Sequence, residues 1–364
     1  MNESFGLTCV RMVTRVTSCN FSLPFSSPML TKRRLLQTLA AALCTPGAWA
    51  QDASHARSVS RASGGAWPVK PVRLLVGFPA GASPDLAARA IAEPLSKLLG
   101  QPVVVENRPG SSGNVAADQV AKAEDDHTIG ALINGNLTIA KLLNPKTPFD
   151  PEKDFAPVSL IGTAPLVLAV SGGAPGVTPD DYLLWARNLG DSGRYGTPGV
   201  GTVGHLGMEL LKTRTNIRAQ HVPFTGNPQV IEAMLAGKIE LALLPPGLAK
   251  PHIKSGKLKA VGVTSPERSP LFEELPTLRD ANVRGADLEI WTALAAPAGL
   301  PPAAVARLNA ALIEVARAPE VRERLLAAGW HADAGTPQSL AYRMRADTVR
   351  LGGVILMRGI RSEA

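Results

Sequence analysis

VRLLVGFPAGASPDLAAR, residues Val72 to Arg89, is the stretch that decides the fold, because it joins a predicted strand to a predicted helix. Residues 72–76 form a short apolar run that is typical of a buried strand. Ser83 can cap a helix, Pro84 suits its first turn, and Asp85 adds a negative charge near its start. Such a corner exposes backbone N–H groups at the positive end of the helix dipole, so it predicts a site for phosphate or carboxylate.

The glycine loop at residues 77–82 does not match the two common phosphate-binding motifs. No Gly-Lys-Ser/Thr follows it, as a P-loop requires, and Gly77 and Gly81 lack the spacing of a dinucleotide fingerprint. An ordinary strand-to-helix turn of an α/β protein has the same local pattern, and it remains the alternative to an anion-binding corner.

Strands alternating with helices continue along the chain, for example the strand-like run Thr128–Ile133. This alternation predicts βαβ units and mainly parallel sheets. A second glycine-rich corner, residues 196–202, also follows a strand and precedes a helix. Since such corners lie at the carboxyl edge of a parallel sheet, where ligands bind, two of them predict a cleft between two lobes.

Residues 1–50 are typical of an export leader. A basic cluster at 31–34 precedes a short apolar run, and Ala48-Trp49-Ala50 forms a small-x-small cleavage pattern. We expect export to the periplasm with cleavage near Ala50; Met29 is an alternative start, and both general and twin-arginine export stay open. Residues 51–66 contain few large apolar side chains, which predicts a disordered tether.

The leader accounts for much of the unusual composition. It carries all three cysteines, so we expect no disulfide and no cysteine-ligated metal in the mature chain. It also carries five basic residues and one acid, so its removal lowers the formal net charge from +8 to +4. The remaining basic residues are scattered, which argues against a nucleic-acid partner. The histidines show no metal-binding spacing, and no cofactor motif is present.

Several blocks of sequence, taken in order, resemble one known family. They are FPAGASPD (78–85), VVVENRPG (103–110), DFAPV (154–158), YGTPGVGT (195–202), VPF (222–224), LPTL (275–278) and APAG (296–299). From about Trp67 to the C-terminus the chain resembles the periplasmic substrate-binding proteins of tripartite tricarboxylate transporters, the Bug family.

The resemblance implies an α/β, two-lobed periplasmic-binding-protein (Venus-flytrap) fold, with two mainly parallel sheets joined by a two-strand hinge. We expect one lobe from residues 67–167 and 290–364 and the other from residues 168–289. It also implies a small carboxylate ligand, a membrane permease as partner, and no cofactor. We expect the protein to act as a monomer.

In the family, the first-lobe loop and the second-lobe corner hold the ligand, with side contacts from two further turns. Carried over to this sequence, the implied ligand-binding residues are Phe78, Pro79, Ala80, Gly81, Ala82, Ser83, Asp85, Asn134, Asn136, Thr197, Pro198, Gly199, Gly201, Thr202, His205, Phe224 and Thr225. Two of them have local alternatives, because Asp85 can cap its own helix and His205 can form a hydrogen bond within its turn.

The sequence departs from the family pattern in places that bear on the ligand. Ala82 stands where a second glycine is usual, and Gly204 where serine is common. Leu244-Pro245 replaces an acidic or amide pair, which removes polar groups from the expected pocket wall. This change argues against an amino-acid ligand.

Three functional classes follow from these observations. The protein is a transport receptor for a carboxylate, a binding protein that presents its ligand to a membrane sensor kinase, or a hydrolase or lyase that uses the same cleft. The first two share one binding event and differ only in the partner. No paired carboxylates and no Ser/His/Asp set support the third, so we expect no enzyme.

Overall fold

The computed structural model describes residues 67–361, so the predicted leader and tether lie outside the described residues. The strands are β1 (Val72–Val76), β2 (Val103–Asn107), β3 (Thr128–Ile133), β4 (Phe155–Pro165), β5 (Val167–Ser171), β6 (Arg194–Thr197), β7 (Gln220–Pro223), β8 (Leu241–Leu244), β9 (Leu258–Val263), β10 (Glu289–Pro297) and β11 (His331–Ala332). The helices are α1 (Ser83–Leu99), α2 (Asn114–Ala121), α3 (Asn134–Thr138), α4 (Ala140–Leu143), α5 (Pro179–Asn188), α6 (Val203–Thr215), α7 (Asn227–Leu235), α8 (Pro246–Lys254), α9 (Pro302–Arg317), α10 (Pro319–Ala327) and α11 (Pro337–Arg358). None of these helices combines the length and the apolar character needed to cross a bilayer.

Two sheets organise the described residues. One has six strands in the order β11-β4-β10-β3-β1-β2, and the other has five in the order β7-β6-β8-β5-β9. Helices pack on both sheets, and each sheet has its own buried apolar clusters. The structure therefore confirms the predicted two-lobed α/β fold.

The sheets are mixed, so the expectation that they are mainly parallel was wrong. β1 pairs in parallel with β2 and β3, and β6 pairs in parallel with β7 and β8. However, β10 lies antiparallel to β3 and β4, and β5 lies antiparallel to β8 and β9. The antiparallel strands are those that enter or leave a sheet at the lobe crossings. A buried strand has the same apolar composition in either direction, so the sequence pattern does not reveal this difference.

The chain crosses between the two sheets twice, once between β4 and β5 and once between β9 and β10. One buried threonine forms hydrogen bonds to both crossings. Thr264, which is 1% exposed, lies just after β9 and faces Leu166, the residue that separates β4 from β5. Its N–H donates to the Leu166 carbonyl at 2.8 Å, and its hydroxyl accepts from the Leu166 N–H at 2.8 Å. The same hydroxyl donates to the Leu288 carbonyl at 2.6 Å, just before β10. Thr264 thus fixes both connections at one point.

The C-terminal helix α11, which the sequence patterns did not reveal, packs against both lobes. Leu340 belongs to an apolar cluster under the six-stranded sheet, whereas Leu351 belongs to one under the five-stranded sheet. Asp347, near its middle, accepts a hydrogen bond from Trp291 Nε1 of β10 at 2.6 Å. Because α11 contributes to both cores, the assignment of residues 67–167 with 290–364 to one lobe and 168–289 to the other stays a prediction.

We predict that Thr264→Val destabilises the protein by about 2–4 kcal/mol, because it leaves the buried Leu166 N–H and Leu288 carbonyl without partners. Urea unfolding followed by circular dichroism measures the change. Thr264→Ser keeps the hydroxyl and is the matched control, for which we expect a much smaller loss. If the valine variant and the parent are equally stable, the hydrogen bonds of the Thr264 hydroxyl contribute little to the free energy of unfolding.

Candidate functional site

The loop between β1 and α1 is braced from within by Asp85. Its buried carboxylate accepts hydrogen bonds from the Gly81 N–H at 2.8 Å, Asn107 Nδ2 at 2.8 Å and Arg89 Nε at 3.0 Å. Gly81 has φ +80°, a left-handed conformation that glycine adopts without strain. Both carboxylate oxygens are therefore occupied by the protein itself, and the Gly81 N–H is directed at Asp85.

The second corner, between β6 and α6, is held in a similar way by a cap and a histidine. Thr202 caps α6, since its hydroxyl accepts from the His205 N–H at 3.4 Å and donates to the Gly199 carbonyl at 2.8 Å. His205 Nδ1 accepts from the Gly201 N–H at 3.1 Å. Gly199 and Gly201 both have positive φ, at +133° and +77°. His205 therefore fixes the shape of the corner from behind.

A buried histidine, His205, and a half-buried one, His221, stack under this corner. The rings of His205 and His221 lie 4.0 Å apart between centroids, and Tyr195 stacks on His221 at 5.0 Å. Burial, together with the neighbouring His221, lowers the pKa of His205 to about 3. Burial likewise lowers the pKa of His221 to about 4. Both rings are consequently neutral near neutral pH.

Glu209 connects this cluster to the end of the C-terminal helix. Its carboxylate accepts from Tyr195 Oη at 2.6 Å, Lys212 Nζ at 2.7 Å and Arg358 Nη2 at 2.8 Å. Burial opposes ionisation, but these hydrogen bonds prevail and lower the pKa of Glu209 to about 2. Burial and the bond to Glu209 raise the pKa of Tyr195. The cluster is thus fully paired and anchors β6, α6 and α11.

Both corners border one cavity of about 40 Å³ between the two sheets. Its lining residues are Phe78, Ser83, Pro84, Ile133, Asn134, Leu166, Pro198, Thr202, Val203, Gly204, Asn227, Leu243, Pro245, Ile290 and Trp330. Among the described residues, none that lines this cavity has a charged side chain. Helices α1, α6, α7 and α8 all start at its wall or next to it, so the positive ends of four helix dipoles converge there.

Two polar side chains at this cavity have no hydrogen-bond partner within residues 67–361. They are the Ser83 hydroxyl and the Asn227 side-chain carbonyl, on residues that are 1% and 7% exposed. The hydroxyl can donate, and the asparagine amide presents either a donor or an acceptor after rotation. Because buried polar groups are nearly always hydrogen-bonded, two such groups at one cavity indicate a place for a polar ligand.

A second, larger cavity of about 290 Å³ lies beside the first, and Pro198 lines both. Its wall includes residues 110–114, 198–200 and 223–225. Ser112 contacts Gly199 of the facing lobe so closely that a side chain at Gly199 would collide with it. The second corner therefore approaches the first lobe through glycine.

The structure divides the predicted ligand-binding residues into four groups. Those lining the smaller cavity are Phe78, Ser83, Asn134, Pro198 and Thr202. Those lining only the larger cavity are Gly199, Phe224 and Thr225. Those whose side chains brace the backbone are Asp85, Asn136, Thr197 and His205. Those that lie in the two turns, in neither lining, are Pro79, Ala80, Gly81, Ala82 and Gly201.

Other lining residues were missed by the sequence analysis. Asn227 follows a glycine and precedes a proline, which is a helix-start signal that could have identified it. Trp330 had no local signal, because it reaches the first corner from the far end of the chain; its Nε1 donates to the Ser83 carbonyl at 3.0 Å. Within residues 67–361, no group of three His, Cys, Asp or Glu side chains is placed to hold a metal ion.

A two-lobed α/β fold whose helix starts converge on a cavity between the lobes defines a solute-binding protein of the periplasmic type. Residues 87–360 match the family model described as tripartite tricarboxylate transporter family receptor, and the chain belongs to this family. A Pseudomonas sp. (strain P51) protein from the tcbD-tcbE intergenic region is 34% identical over 322 residues, covering 88% of this chain and 92% of that protein. BugT of Bordetella pertussis is 29% identical over 297 residues, covering 80% and 90%.

Solved structures show the same architecture. MatC of Rhodopseudomonas palustris, determined with bound malate, has 31% sequence identity and a TM-score of 0.75, covering 79% of this chain and 100% of that one. Rpa4515 of R. palustris, determined with adipate, has 31% identity and a TM-score of 0.78, covering 81% and 99%. The resemblance to the Bug family and the two-lobed fold are thereby confirmed.

We predict that acid destabilises the protein through the two stacked histidines. An unfolded histidine titrates near pH ~6.5, whereas His205 and His221 have pKa values of about 3 and about 4. Between these values the unfolded chain binds more protons, so the free energy of unfolding falls as the pH drops below about 6.5. From pH 7 to pH 5 we expect a loss of about 2–4 kcal/mol, measured by urea unfolding.

His205→Asn is the control for this pH dependence. The asparagine carbonyl can replace Nδ1 as acceptor for the Gly201 N–H but does not titrate. We expect the variant to lose about half of the pH dependence. An unchanged slope between pH 7 and pH 5 would assign the effect to other groups.

Proposed function

We propose that this protein is a periplasmic receptor that captures a small carboxylate between its lobes and delivers it to a tripartite permease. The observation that carries the proposal is the pair of unpartnered, buried groups, the Ser83 hydroxyl and the Asn227 amide, at a cavity where helix starts from both lobes converge. Membership of the receptor family supports it. So do the similar proteins determined with malate and adipate.

Backbone donors at the helix starts complete the anion site. The first N–H groups of a helix have no partner within it. In α1, Pro84 has no N–H and the Leu86 N–H is bonded to the Ala82 carbonyl, which leaves the N–H groups of Ser83 and Asp85 for a ligand. A carboxylate bound by such donors gains charge-assisted hydrogen bonds, each contributing roughly 1.5–3 kcal/mol.

Contacts across the cleft fit a receptor that closes around its ligand. Pro79 of the first loop lies beside Gly226 at the start of α7, and Ser112 contacts Gly199. Closure about the crossings near Thr264 would enclose the carboxylate and exclude water. A ligand that contacts both lobes favours the closed state by the difference in its affinity for the closed and open states.

Transport and sensing would use the same binding event. They differ in the membrane protein that receives the ligand-bound receptor, which is a permease for transport and a sensor kinase for sensing. Uptake of a bound carboxylate that depends on this gene would support delivery to a permease. Unchanged uptake combined with a lost transcriptional response to the same carboxylate would favour a sensor partner instead.

We propose that residues 1–50, with Met29 as an alternative start, are an export leader that is removed near Ala50. The periplasmic location of related binding proteins supports this. Mass spectrometry of the exported protein is expected to give an N-terminus at or near Gln51. A mature protein that begins at Met1 or Met29 would contradict this assignment.

We predict that Asn227→Asp weakens carboxylate binding by at least about 100-fold, because it places a buried negative charge beside the ligand anion and removes a donor. An acid in the first turn of α7 is favourable to the helix, so we expect the fold to be kept. Calorimetric titration with mono-, di- and tricarboxylates, malate and adipate among them, measures the affinity.

Asn188→Asp, at the exposed end of α5, is the matched control for the change in charge. We expect it to bind like the parent protein. If the folded Asn227→Asp variant also binds like the parent protein, the anion is held elsewhere and the proposed site is wrong.

A further inference from the structure

We infer that the ligand is a carboxylate with an apolar carbon body and no ammonium group, which excludes amino acids. This inference rests on the proposed function, because it concerns the cavity in which the carboxylate is held.

No carboxylate is available to pair with an ammonium group in this cavity. Within residues 67–361 the lining contains no acid, and the nearby Asp85 is occupied by Gly81, Asn107 and Arg89. Glu289, whose carbonyl accepts from the lining residue Asn134, directs its carboxylate to Arg343 at 3.1 Å. A buried ammonium group would therefore lose its hydration without gaining a counter-charge.

The helix dipoles at the cavity also disfavour an ammonium group. The first turns of α1, α6 and α7 lie at the wall, and each places positive partial charge at the cavity. This field favours the carboxylate of a ligand and opposes a cation a few ångströms from it. The neutral Ser83 hydroxyl and Asn227 amide hydrogen-bond to a ligand without cancelling the field.

The rest of the wall is apolar and suits a carbon skeleton. Leu243 lies in β8 of the five-stranded sheet, and Leu166 lies at the crossing between the sheets. Ile133 and Ile290 lie in β3 and β10 of the six-stranded sheet, and Trp330 directly precedes β11. Each methylene group buried against such a wall strengthens binding about fourfold. A hydroxyl in the same place gains less unless it reaches one of the two unpartnered groups.

Two sets of ligands that differ in one group test the inference on the unmodified protein. The monocarboxylates are isobutyrate, lactate and alanine, and the dicarboxylates are methylsuccinate, malate and aspartate. Within each set a methyl, a hydroxyl and an ammonium group occupy the same position on the same skeleton. Calorimetric titration of each compound at pH 7 gives the affinities, with Asn227→Asp as the control for binding outside the cavity.

In whichever set binds, we expect the methyl compound to bind at least as tightly as the hydroxyl compound. We expect the ammonium compound to bind about 100-fold more weakly than the methyl compound. Alanine or aspartate within tenfold of its methyl counterpart would overturn the inference and leave the proposed function intact. If none of the six compounds binds, the inference fails; the proposed function fails as well only if adipate and the other carboxylates of the wider titration do not bind either. Binding that persists in Asn227→Asp would also overturn the inference, because the compounds would then be held outside this cavity.

Discussion

The structure depends on the way in which Thr264 joins the two segments that cross between the lobes. Its N–H and hydroxyl both engage Leu166, and the hydroxyl also reaches the Leu288 carbonyl. A buried N–H or carbonyl without a partner is costly, so these bonds keep the two crossings next to each other. Leu166 also lines the cavity, so the same residue belongs to the crossing and to the cavity wall. Movement of the lobes about this point changes the cavity directly.

Charged and titratable groups shape the site from behind, while neutral groups form its wall. Asp85 braces the first loop and His205 the second, and neither lines the cavity. This division follows from the cost of burying an unpaired charge, which is larger than the cost of burying an unpaired hydroxyl or amide. Under the proposed function, the positive ends of the helix dipoles would attract an anion without a fixed cation in the wall. Within the described residues, the charged groups therefore hold the loops in place, and the cavity wall itself is neutral.

Local signals in the sequence predicted what lies close together along the chain. The strand 72–76 is confirmed. The predicted cap Ser83 is instead the first residue of α1, and Ala82 occupies the cap position without a side-chain hydrogen bond. Antiparallel pairing and the helix α11 were not predicted, because strand direction and a weakly patterned helix depend on distant contacts. The cavity wall shows the same limit, since Trp330 bonds to Ser83 from a position 247 residues further along. A pattern read over a few turns contains no information on such a contact.

Several contacts between the lobes across the cleft are made by small residues. Gly199 meets Ser112, Gly226 lies against Pro79, and Gly247 touches Gly329 backbone to backbone. Such contacts let the lobes approach closely but bury little apolar side-chain area, so they stabilise the closed arrangement weakly. Under the proposed function, the ligand adds to the free energy of closure through its carboxylate at the helix starts and its body against the apolar wall. A ligand lacking either part would favour the closed state less, so selection by the wall and closure about Thr264 are two effects of the same binding free energy.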